Sequence, residues 1–69
     1  MFELDGKAIR LLMLEKKLTF RALAKAAGIT ETTAQKIARG GAKVNGKTAG
    51  KVADAFGVDA STILKEEAI

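Results

Sequence analysis

The sequence predicts an all-α fold, a compact five-helix bundle in a single domain spanning residues 1–69. Three observations carry that expectation. Of the 69 residues, 13 are Ala, the strongest helix former and a poor strand former. Proline is absent, and Gly separates short apolar stretches whose spacing is helical. No stretch alternates long enough to read as a strand.

The first five residues read as extended, with Asp5 a candidate N-cap. The first helix is expected over residues 6–17. Ile9, Leu12 and Met13 make one apolar face, and Leu4, Ala8, Leu11 and Leu14 a second stripe. Thr19 is placed to cap a second helix over Phe20–Ala27, with Leu23, Ala24 and Ala27 inward. Gly28 suits the left-handed residue that ends it. Thr30 is placed to cap a third helix, Glu31–Arg39, with Ala34 and Ile37 inward and Gly40 at its end. Residues 41–47 (GAKVNGK) read as a loop. A fourth helix follows over residues 48–56, with Ala49, Val52, Ala53 and Phe56 inward and Gly57 as its end. Asp59 is expected to cap a short fifth helix over residues 60–66, with Ile63 and Leu64 inward.

The second and third helices lie about three residues apart, across Gly28. That is the spacing of a helix-turn-helix. Ala24 is small where the third helix crosses the second. Gly28 takes a positive φ without a Cβ penalty. Ile29 plugs the corner, and Ala34 and Ile37 anchor the third helix. Its outward face then holds Glu31, Thr32, Gln35, Lys36 and Arg39, all hydrogen-bonding side chains. A polar helix face flanked by cations is what reading the major groove of DNA requires.

Charge points the same way. The net charge is +4, but residues 16–53 carry nine cations against the single acid Glu31. Both ends are mildly acidic. A central positive field suits a polyanion, and charge alone suits solvated surface lysines on a soluble domain equally well.

Composition excludes several other classes. A chain of this size buries only about 60% of its unfolded surface, so stability must come from regular helices, a tight core or a partner. With no Cys and no His there is no disulfide, no Cys/His zinc site, no thiol nucleophile and no imidazole base. Ser61 is the lone serine. The expectation is a non-enzyme with no cofactor, no metal and no small-molecule ligand. Readers of single strands stack bases on aromatics, and here there are three Phe and no Tyr or Trp. No apolar run approaches a membrane span, and the first residues lack the basic and apolar regions of a signal peptide.

The segments LTFRALAKAAGITETTAQKIARGG and VADAFGVDASTIL resemble the lambda-type phage repressor/Cro helix-turn-helix family, also called the xenobiotic-response-element family of small transcriptional regulators. The resemblance covers roughly residues 7–64. Leu23-Ala24, Gly28-Ile29 and Ile37 with Gly40 match its helix-turn-helix. Val52, Ala53, Phe56, Gly57, Val58 and Ile63 match its fourth and fifth helices. It implies the lambda repressor-like fold and a Cro-like repressor in the bacterial cytosol or nucleoid, bound as a homodimer to a palindromic double-stranded operator. It places base reading at Glu31, Thr32, Gln35 and Lys36. It places phosphate contact at Arg21, Thr33, Arg39, Lys43 and Lys47.

The chain departs from the family at three positions. Phe20 stands where a phosphate-gripping Gln is usual; packing is the expected role for that ring, in preference to base contact. Met13 and Ala38 stand where some members bury an Arg–Glu ion pair, which apolar residues can replace without loss of stability. Leu11, Leu14, Ile63, Leu64 and Ile69 offer apolar surface either for packing the fifth helix or for a dimer interface. The competing functional reading is a protein-interaction module, antitoxin-like or an adaptor, on the same helical fold. A salt titration of DNA binding separates the two.

Overall fold

Each long helix starts where a short polar side chain reaches the backbone N–H groups its first turn leaves unbonded. In the computed structural model, which describes residues 1–65, the order is β1 (Phe2–Glu3), α1 (Gly6–Lys16), α2 (Phe20–Ala27), α3 (Glu31–Arg39), β2 (Lys43–Val44), α4 (Gly46–Phe56) and α5 (Ala60–Ile63). Asp5 Oδ1 accepts from the N–H groups of Lys7 and Ala8. Thr19 caps α2 by accepting from Ala22, and Thr30 caps α3 by accepting from Thr33. Asn45 caps α4 by accepting from Thr48 at 2.8 Å.

Helix ends follow local chemistry as well. Gly28 ends α2 at φ 69°, and Ile29 N–H closes the turn onto Ala24 C=O. Lys17, at φ 57°, ends α1 one residue earlier than the apolar pattern suggests. Its N–H donates to Leu14 C=O and that of Leu18 to Met13 C=O, a left-handed end built without Gly.

The core joins all five helices. Leu4, Ile9, Leu23, Ile37, Val52, Phe56 and Ile63 are buried in it. Ala24, Ala27, Ala34, Ala38, Ala49 and Ala53 are buried where helices approach closely. The tightest approach is between backbones. A Cβ on Gly6 would lie 2.5 Å from both Cα and N of Gly40, and 2.9 Å from the carbonyl oxygen of Ala38. Gly40 itself has φ 100° and ψ 158°, a conformation open essentially to Gly alone. The start of α1 therefore rests directly on the end of α3.

Several expectations change. The expected loop and extended start form a small antiparallel sheet, with Phe2 opposite Val44 and Glu3 opposite Lys43. On its other edge β1 meets the C-terminal segment: Leu4 bridges Leu64, and Lys65 N–H donates to Glu3 C=O. Leu4 is thus a buried residue of an isolated β-bridge rather than part of a helical stripe. α4 begins at Gly46, not at residue 48, because Asn45 supplies the cap. α5 ends at Ile63, because Leu64 turns extended to bridge Leu4; residue 66 lies outside the described residues. Asp59 occupies the cap position of α5, but its side chain makes no capping bond. Lys65 pairs with Glu3 at 3.0 Å, and that hydrogen bond and attraction hold its ammonium pKa above the usual lysine value.

Candidate nucleic-acid interface

α3 packs on α1 and α2 through Ala34, Ile37 and Ala38 and leaves its polar side outward. Glu31, Thr32, Gln35, Lys36 and Arg39 are all exposed on it, as helical spacing from the buried positions dictates. Thr33 is half-buried, and its hydroxyl accepts a hydrogen bond from that of Thr30. The expected base-reading positions thus share one solvent-facing strip.

A groove flanks each side of α3. On one side Thr33, Lys36 and Arg39 face residues 40–44, so Lys43 on β2 borders the same groove as the helix. On the other side Gln35, Ala38 and Arg39 face Arg10 of α1 and Phe20 of α2. Lys47 is exposed in the first turn of α4, rather than in a loop, and Arg21 is exposed in the first turn of α2. Among the described residues the one ion pair is Lys65–Glu3. No carboxylate among them neutralises Arg21, Lys36, Arg39, Lys43 or Lys47.

Lys51 serves a different end. A Cβ on Gly28 would lie 3.9 Å from its Nζ, so the ammonium sits near the C-terminus of α2, where cations are favoured. Part of the central positive field is thus spent on helix stability.

Arg10 is a neighbour of α3 that sequence reasoning missed. Its guanidinium donates to the carbonyl oxygens of Ala38 and Arg39, at 2.5 and 3.5 Å. It thereby holds the last turn of α3 from outside. The acceptors are backbone groups, so no complementary side chain marks the pairing in the sequence. Met13 packs against the core and Ala38 is buried in it.

The expected dimer surface separates into unlike parts. Leu14 is 75% and Leu11 49% exposed on the outer side of α1. Ile63 is fully buried and offers no surface to a second copy, because α4 and α1 cover α5. Leu64 is half-buried against Leu4, and Ile69 lies outside the described residues. Phe20, expected to pack, remains 36% exposed beside α3.

Two capped helices joined by three residues, with the second presenting a polar strip between grooves, define a helix-turn-helix domain. A family model described as helix-turn-helix matches residues 9–63. The chain belongs to that family, the lambda repressor/Cro-like helix-turn-helix family of DNA-binding regulators. No curated protein and no solved structure matches the chain significantly. No helix among the described residues is long and apolar enough to cross a membrane.

Proposed function

We propose that the protein is a Cro-like repressor that reads a specific operator with α3. The observation that carries this reading is the strip of Glu31, Thr32, Gln35 and Lys36, exposed between two grooves whose rims hold Arg39, Lys43 and Arg10. In this arrangement α3 enters the major groove and the strip meets base edges. Arg21, Arg39, Lys43 and Lys47 take phosphates on either side, and Thr33 lines the groove that leads to Lys43. Glu31 accepts from cytosine N4, Lys36 donates to guanine O6 and N7, and Thr32 packs on a thymine methyl.

One such helix covers few base pairs. Two copies on half-sites about 34 Å apart supply the missing specificity. The exposed Leu11–Leu14 side of α1 is the surface offered for that homodimer.

The test is selection of bound sequences from random duplexes, followed by a salt titration on the selected site. The expected result is a palindromic consensus, with log K falling by about 0.9 per log unit of salt for each phosphate neutralised. Sedimentation on the full operator should show two chains bound. Absent or salt-independent DNA binding refutes this reading and leaves the interaction-module reading standing.

A further inference from the structure

Phe20 opens α2 and is 36% exposed, outside the core to which Leu23, Ala24 and Ala27 of the same helix belong. It borders the groove that Gln35, Ala38 and Arg39 of the reading helix share with Arg10. Arg10 is tied to the carbonyls of Ala38 and Arg39, so that wall of the groove is fixed. The charged residues next to the ring, Arg10, Arg21 and Arg39, are all cationic, which places Phe20 inside the area a polyanion would cover. A Phe ring has no donor or acceptor and cannot replace a phosphate contact. The apolar feature that the major groove presents is the thymine C5-methyl, which Phe side chains contact in direct readout. The neighbouring Gln35 has the two-ended amide that pairs with adenine N6 and N7.

From this juxtaposition we infer that Phe20 is a specificity-determining residue: it reads a thymine methyl next to the base pair that Gln35 reads. The inference rests on the operator-binding reading above. It makes an apolar ring on α2, outside the reading helix, part of sequence recognition. A thymine at that step is then selected against cytosine, which lacks the methyl.

The experiment is a thymine-to-uracil scan of the selected operator, with the full chain, Phe20→Ala and Phe20→Gln. Uracil keeps the base-pairing edge and loses only the methyl. At one thymine beside the Gln35 contact, uracil should weaken the native protein about fourfold, the effect of losing one buried methyl. At that thymine both variants should bind the thymine and uracil duplexes equally, while the thymine assigned to Thr32 keeps its uracil sensitivity in all three proteins. Because each comparison uses one protein on two duplexes, a variant that is partly unfolded still reports the ratio. Specific binding with no uracil-sensitive position beside the Gln35 contact, or with the sensitivity at that position intact in both variants, overturns the Phe20 assignment and leaves operator binding untouched. That outcome would place the ring against deoxyribose or in packing alone. Failure of the native protein to bind any selected duplex refutes the underlying reading instead.

Discussion

Replacing Gly6 by Ala tests how the reading helix is held. The new Cβ would sit 2.5 Å from the Cα and N of Gly40. Carbon atoms in contact ordinarily stay about 3.5–4.0 Å apart, so the shortfall is about 1 Å or more. Both sides of the clash are backbone, and no rotamer relieves it. Overpacking of this kind costs about 1–3 kcal/mol. Gly6 is the first residue of α1, where the propensity gain of Ala is less than the roughly 1 kcal/mol of a helix interior. The net expectation is a loss of about 2 kcal/mol, taking overpacking over propensity. For a domain of this size that lowers Tm by about 8–16 °C. Gly50→Ala is the matched control. It lies inside α4, and its new Cβ would meet nothing within 4 Å. Only propensity acts there, so Tm should rise by about 4–8 °C. Thermal melts followed by far-UV circular dichroism read both signs. A Gly6→Ala protein that melts at or above the native temperature would refute the argument that α1 rests on Gly40. Where the variant still folds, specific DNA affinity should fall more than non-specific affinity, since the end of α3 has been pushed outward.

Other perturbations address the surroundings of α3. Arg10→Met keeps the apolar stem and removes the donors to Ala38 and Arg39, so stability should drop by about 1 kcal/mol; an unchanged denaturation midpoint would sink the clamp. Lys43→Ala and Lys47→Ala should each weaken binding to all sequences alike and reduce the salt slope by about 0.9, whereas a change confined to one base position would make either a base reader. Glu31→Gln should raise general DNA affinity and shift one position of the selected consensus from cytosine toward adenine; a changed Tm with an unchanged consensus would leave Glu31 only a helix-terminus role. Lys36→Ala should lose about 1–3 kcal/mol at one guanine-containing position, and a uniform loss across sequences would move Lys36 to the phosphates.

The sequence by itself determined the five helices, the three-residue turn and the outward strip of α3. Those features are local. Thr19, Gly28 and Thr30 act on N–H and C=O groups within a few residues, and the buried set Ala34, Ile37 fixes by geometry which neighbours face out. Tertiary structure decided the rest. β1 and β2 have two residues each, too few for an alternating pattern, and they exist because distant segments meet. The bridge between Leu4 and Leu64 ended α5 at Ile63, and packing on α4 and α1 took Ile63 out of any dimer surface, whereas the start of α4 at Gly46 is local, set by the Asn45 cap. Gly6 in sequence is only a weak helix start; in the fold it is the point where two backbones touch. Arg10 reads as one more surface cation, yet it grips two carbonyls across the chain. Contacts made to backbone atoms impose no requirement on the side chain opposite. They leave no paired signal in the sequence, and only the folded chain brings them together.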